Sequence, residues 1–188
     1  MLGELEDLIE ARLKELNSVL PRLVVESYGG ELSDPDLLAT LLKRCPAVLL
    51  MVPKATLRKR SQGRYGISIT FRLVIATRHP RGEKETRRGT TPTDPGSYSL
   101  WEACMHKLVD WQPWPDRAAI VPTELSNLVN GKFASDHLSV LGQSFVIELD
   151  WVKPEQALPW LEGIALSYHV PAGNPAATVT DEVQLRDA

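Results

Sequence analysis

Histidines, cysteines and paired carboxylates are the side chains from which most catalytic and metal sites are built, and this chain scatters them. Its four histidines, His79, His106, His137 and His169, fall in four separate segments. No HxxxH, HExxH or mixed His/Cys spacing places two metal ligands on one helix face. His106 lies in a helical pattern, as a core or a surface residue. Cys45 closes one helical pattern and Cys104 sits inside another. Both are expected to be small core residues of a reduced, cytosolic protein rather than ligands or disulfide partners. Gly29-Gly30 precedes a helix start, yet neither GxGxxG nor GxxxxGKS/T accompanies it. Asp34 and Asp36 at that helix start would repel a bound phosphate, so the glycines are expected to make a turn. Ser144 and Ser167 lack the surroundings of a nucleophile elbow. The carboxylate pairs Asp34/Asp36 and Glu83/Glu85 have simpler uses, as a helix cap and a solvated loop. The expectation is a protein that is not an enzyme, with no catalytic residue, no metal and no cofactor.

Charge is the more informative signal. The formal net charge of −3 conceals a strong segregation. Eleven Lys/Arg and two acids lie between Lys54 and Arg88, a local net of +9, whereas the rest of the chain carries ten basic and twenty-two acidic residues, a net of −12. Segregation of this kind speaks of surface fields and partners rather than of fold. The candidate contact residues are Arg58, Lys59, Arg60 and Arg64, then Arg78, Arg81, Arg87 and Arg88. Three uses stay open: a solvated charged hairpin, a contact with an acidic partner surface such as a neighbouring copy of this chain, or nucleic-acid binding. Lys59-Arg60 and Arg87-Arg88 suit phosphates, but only Tyr65 is aromatic within the segment, and single-strand binders interleave stacking aromatics. Trp111 and Trp114, flanked by prolines, are candidates either for an exposed partner anchor or for the packed end of a helix.

The elements that must position these residues follow from periodicity. A chain of 188 residues with 43% hydrophobic and 24% charged residues supports one sizeable core. No apolar stretch approaches the roughly 18 residues of a membrane span, and the acidic, amphipathic N-terminal residues do not read as a secretory signal. Leu2, Leu5, Leu8, Ile9, Leu13 and Leu16 predict a helix over about residues 3–17. Leu23–Tyr28 predicts a strand, and Ser33-Asp34-Pro35-Asp36 a capped helix start, with Ser33 or Asp34 as cap and a stop before Pro46. The apolar run Ala47–Val52 predicts a strand covered on both faces. Tyr65–Thr77 alternates with period two, a long strand with one buried and one largely solvated face. The basic residues then fall into a loop before it (Lys54–Arg64) and a loop after it (Arg78–Arg88). Thr90–Gly96 reads as a linker, and Ser97 as the cap of a third helix ended at Trp111–Pro115. Leu125–Val129 predicts a short strand before an Asn130-Gly131 turn, Leu138–Trp151 a second long alternating strand with a bulge or bend at Gly142, and Ile164–Val170 a further strand. Pro171 onward reads as a loose tail. The order α-β-α-β-β-α-β-β implies an α+β fold, a mainly antiparallel sheet with helices packed on one face. Residues 1–152 form a single domain in this reading, and residues 153–188 a C-terminal extension.

The run from Leu23 to Leu32, then Asp34–Ala39, then Leu41–Leu49, resembles a family of Mu-like phage and prophage tail proteins. Gly63-Arg64-Tyr65 leading into the long strand, Thr77-Arg78, Arg87-Arg88-Gly89 and the Gly96–Tyr98 entry to the third helix fit as well. The resemblance covers roughly residues 1–152 and is sharpest over Glu26–Pro46. It implies a tail terminator, or tail-completion protein, of a contractile tail. In such proteins an α/β subunit forms a hexameric ring at the head-proximal end of the tail tube. The ring stops tube and sheath polymerisation and offers a docking face to the head connector. The partners implied are further copies of the chain, tube and sheath proteins and the head–tail connector, with no membrane and no nucleic acid beyond DNA passing through the ring. The place implied is the virion tail, assembled in the bacterial host cytoplasm. A neck or head-completion protein is the nearest alternative, and a nucleic-acid-binding module using residues 54–88 the more distant one.

Overall fold

The computed structural model of the chain describes residues 1–30, 32, 34–128, 137–154, 163–169 and 178–184. Helix α1 spans Leu2–Lys14 and continues into a 3-10 turn over Glu15–Ser18; its i, i+4, i+8 residues Leu5, Ile9 and Leu13 are fully buried. Strand β1 spans Val24–Ser27 and helix α2 Pro35–Arg44. The Asp34 carboxylate caps α2, accepting from the amides of Asp36 (2.8 Å) and Leu37 (3.3 Å). The alternative cap, Ser33, lies outside the described residues. The helix ends at Arg44, and a cis Cys45–Pro46 peptide leads into β2, Ala47–Ser61. A two-residue turn, Gln62-Gly63, joins β2 to β3, Arg64–Arg78; Gly63 has φ +71°, a conformation glycine adopts without steric cost. Then come α3 (Glu83–Arg88), the short pair β4 (Gly89–Thr91) and β5 (Asp94–Pro95), α4 (Ser97–Leu108), β6 (Val121–Asn127) and β7 (Leu138–Val152).

Five strands form one sheet in the order β1-β2-β3-β7-β6, with β1 and β2 parallel and every other neighbour antiparallel. The fold is therefore α+β with a mainly antiparallel sheet. Strands β3 and β7 pair without a break from Arg64↔Val152 to Arg78↔Leu138. On one face, α1 and α4 bury Leu5, Ile9, Leu13, Leu100, Cys104 and Leu108 against Val48, Leu50, Ile69, Phe71, Leu73, Phe145 and Ile147. Each such fully buried side chain is worth about 1.5–3 kcal/mol over exposure. Helix α2, inside the β1–α2–β2 crossover, sits against the other face, where Leu41 packs with Leu49, Val74, Ala76, Leu138 and Val140. Both faces of the sheet are thus helix-covered at the β1 end, which explains why Val74 and Ala76 are as buried as their neighbours.

The chain divides into two compact units, Met1–Val152 and Lys153–Ala188. In the second unit a hairpin is described, β8 (Gly163–His169) with β9 (Thr178–Gln184), in register from Gly163↔Gln184 to His169↔Thr178.

Several local expectations are corrected. The stretch Lys54–Ser61 is not a loop but the outer half of β2, because its backbone pairs with β3 while its side chains remain in solvent. The expected loop Arg78–Arg88 contains α3, the expected linker contains β4 and β5, and the tail reading gives way to β9 over Thr178–Gln184. Gly96, not Ser97, is the N-cap of α4; the Ser97 hydroxyl is instead 2.8 Å from that of Ser139. Gly142 marks no bulge in the β3–β7 ladder. A side chain there would meet Leu128, whose Cδ1 would lie 2.9 Å from its Cβ. Strand β6 begins four residues earlier than periodicity indicated, since Val121 and Pro122 already pair with β7. The Asn130-Gly131 turn lies outside the described residues.

Candidate functional site

The ten residues singled out above do not converge. Arg58, Lys59, Arg60 and Arg64 lie at the β2–β3 turn end of the sheet, and Arg78, Arg81, Arg87 and Arg88 follow the other end of β3. Arg64 and Arg78, the two ends of the fifteen-residue strand β3, separate the groups by roughly 45 Å at about 3.3 Å per residue. The tryptophans form a third location.

At the first end, β1 accompanies β2 only as far as Leu50, and Tyr28 N–H closes that pairing on the Leu50 carbonyl at 2.8 Å. Beyond Leu50 the outer side of β2 has no neighbour among the described residues. Lys54, Arg58, Lys59 and Arg60 project from this open edge into solvent. Two register shifts, between Met51 and Lys54 and between Lys59 and Ser61, together with Pro53, interrupt it. Positive charge, proline and bulges are the devices by which natural edges resist indiscriminate pairing. Arg60 meets Asp150 at 3.1 Å across the tip, a pair more than half exposed on both sides and so weak in energy. Arg117 ties the same region by donating to the Asp150 carbonyl (3.1 Å). On the α1/α4 side of this arm, Tyr65 and Trp151 lie with ring centroids 5.8 Å apart, and Leu57 is 60% exposed. The opposite face carries a polar depression of about 370 Å³ lined by Thr56, Arg58, Arg60, Gly66, Ser68 and Glu148. Sequence periodicity missed this arm because a basic strand solvated on both faces leaves no apolar alternation.

At the second end one of the charges, that of Arg87, is internally engaged. Arg87 pairs with Glu83 one helical turn away, and hydrogen bonding to the Tyr98 hydroxyl, then to Glu83, raises its pKa further. The buried Thr86 hydroxyl sits 2.7 Å from the Gly82 carbonyl and 3.0 Å from that of His137, holding α3 against the start of β7. His79 Nε2 lies 3.2 Å from Asp94, and its Nδ1 accepts from the Arg81 amide. His79, Asp94, Cys45, Arg22 and Arg78 share the walls of a cleft of about 670 Å³. A cysteine beside a His–Asp pair has the composition of a nucleophilic site, but the chemistry does not follow. The Cys45 thiol donates to the Leu41 carbonyl (3.4 Å), and burial pushes its pKa up to about 12. A thiol in that state is a packing group. Among the described residues no cluster of three His, Cys, Asp or Glu side chains could hold a metal ion.

The tryptophans are half-buried and packed against the main core. The Arg12 guanidinium lies 5.5 Å from the Trp111 ring centroid, and Trp114 Nε1 donates to Glu4 (2.9 Å). Both side chains therefore fasten the segment after α4 onto α1 of the same subunit. Exposed apolar residues occur instead on β6, at Val121 (53%) and Leu125 (47%). No helix among the described residues is long and apolar enough to cross a membrane.

A family model described as "Bacteriophage Mu, Gp37" matches residues 1–150, which takes in the whole five-stranded sheet but for the last two residues of β7. No curated protein matches the chain.

Proposed function

The chain belongs to the Bacteriophage Mu Gp37 family, and from that premise we propose that it is a non-enzymatic structural protein of a contractile phage or phage-like tail. Its task in this reading is to cap the head-proximal end of the tail as a hexameric ring, halting tube and sheath polymerisation and docking the head connector. The observation that carries the reading is the solvated basic edge of β2, Lys54–Arg60, on a subunit whose remaining sequence is strongly acidic. Such a surface recognises another protein surface of opposite charge and sets register and association rate more than affinity. Heterologous contacts between identical copies that close on themselves make a ring and stop there. The Cys45 and Cys104 thiols, both with pKa raised to about 12, act as packing groups in this reading.

Native mass spectrometry over a concentration series tests the ring, with a hexamer expected as concentration rises. A chain that stays monomeric at high concentration, and forms no ring on electron-microscope grids, would overturn the proposal. Reversing charge at Arg58, Lys59 and Arg60 together is expected to weaken assembly without changing the melting of the subunit. Phage particles made without the protein should carry tails of uncontrolled length or tails without heads. The same basic edge supports a second reading, nucleic-acid binding, and salt separates the two. Affinity for duplex DNA that falls steeply from low to moderate salt would favour it, whereas a terminator should hold DNA weakly at any salt concentration.

A further inference from the structure

Among the described residues the five-stranded sheet has two unpaired borders: at one, β1 and then the outer stretch of β2 beyond Leu50; at the other, the outer side of β6. They lie on opposite sides of the subunit, which is the arrangement a head-to-tail contact requires. We infer that the sheet continues from one subunit into the next, the open stretch of β2 pairing antiparallel with the outer side of β6 of a second copy. This rests on the ring reading above and gives it a mode of contact.

Backbone direction fits. Strands β2, β3, β7 and β6 are related by three successive antiparallel steps, so β6 runs opposite to β2. Copies related by rotation about an axis along the strands would therefore meet with β2 and β6 antiparallel. The hydrogen-bonding groups fit as well. Before the bulge the carbonyls of Pro46 and Leu50 point outward to β1, accepting from Val24 (3.1 Å) and Tyr28 (2.8 Å). The shift between Met51 and Lys54 inserts one residue and exchanges the two sets. From there Ala55, Leu57 and Lys59 direct their N–H and C=O groups to the open side. On β6, Leu128 N–H bonds inward to the Val140 carbonyl (2.9 Å), so by alternation Leu125 directs its backbone groups outward.

Side chains then select a register. Leu57 pairs with Ile67 and Leu125 with Gln143, which places both on the face of the sheet that α1 and α4 cover, 60% and 47% exposed. Setting Leu57 opposite Leu125 covers both and puts Arg58 directly opposite Glu124 on the other face. Cross-strand opposite charges stabilise such a pair, and like charges there oppose it. Glu124 meets Arg72 of its own subunit at a loose 3.9 Å and is 68% exposed. The run Lys54, Arg58, Lys59 and Arg60 repels a second basic edge, so β2 cannot pair with itself and is left to a strand bearing an acid.

A charge exchange in the full chain tests the contact, read by native mass spectrometry and sedimentation. Arg58→Glu and Glu124→Arg are each expected to weaken subunit association by about tenfold. Combining them should restore it to within roughly threefold of the unaltered protein. Leu57→Pro, which deletes one outward N–H and leaves the β2–β3 ladder, should block assembly while monomer circular dichroism is retained. Single reversals that assemble normally, or a double reversal as impaired as either single change, would overturn the pairing even if Leu57→Pro failed to fold. An unaltered protein that forms rings indifferent to these changes defeats the edge contact alone. An unaltered protein that never leaves the monomer defeats the ring, and the edge contact with it.

Discussion

Phe71 and Phe145 stack at 5.1 Å with an 11° interplanar angle at the centre of the β3–β7 ladder, both fully buried. Phe71→Ala leaves a cavity between paired strands and two helices, with a cost of about 3–5 kcal/mol expected in urea unfolding. Gly96 is fixed differently. A Cβ there would collide with the Arg87 carbonyl group and the Gly89 nitrogen, which are backbone atoms that cannot swing aside. Gly96→Ala should therefore destabilise by about 1–3 kcal/mol, enough to lower the thermal midpoint measurably. Burial holds the thiols of Cys45 and Cys104 at about 12. In the folded protein neither should be alkylated by iodoacetamide at pH 8, and both should react once urea unfolds the chain. Rapid modification of the native protein at Cys45 would reopen the cleft beside His79 as a chemical site.

Ion pairs between elements give the fold a defined acid response. Glu26 on β1 has its pKa lowered by the hydrogen bond from Arg44 at the end of α2, which ties the crossover helix to its preceding strand. Glu15 is lowered first by the hydrogen bond from Lys107 of α4, and further by Arg12. A carboxylate whose folded pKa lies below its unfolded value stabilises fully above the usual 4.5, and that contribution disappears as pH falls through the folded value. Both groups are solvent-exposed, so the effect is small and screened by salt. The thermal midpoint should drop on acidification below about pH 4.5, and the combined change Glu15→Gln and Glu26→Gln should flatten that drop. A variant that follows the unaltered profile would show that the pairs contribute nothing.

Both core clusters and all of the five-stranded sheet lie within Met1–Val152. A chain ending at Val152 is expected to keep the melting transition and near-ultraviolet spectrum of that unit, since it loses no strand of the sheet. A collapse of that transition on truncation would mean that residues 153–188 complete the core. Charge acts at the same scale. With a basic edge facing an acidic remainder, assembly should slow and weaken as salt rises.

Element types and their buried faces are written locally, and so they were legible: α1, α2, β3, β7 and most of α4 follow from periods of 3.6 and 2, the cap at Asp34 and the stop at Pro46. The absence of a chemical motif and the charge polarity were equally plain. The outer half of β2 was not, because a basic strand held by one neighbour and wet on both faces has the composition of a loop. Nor did Trp111 and Trp114 reveal that they fasten to α1. Sequence periodicity reports which side of an element avoids water. Which strands lie side by side, and therefore which border of the sheet stays open, depends on pairings between residues as far apart as Arg64 and Val152, and only the folded chain decides them.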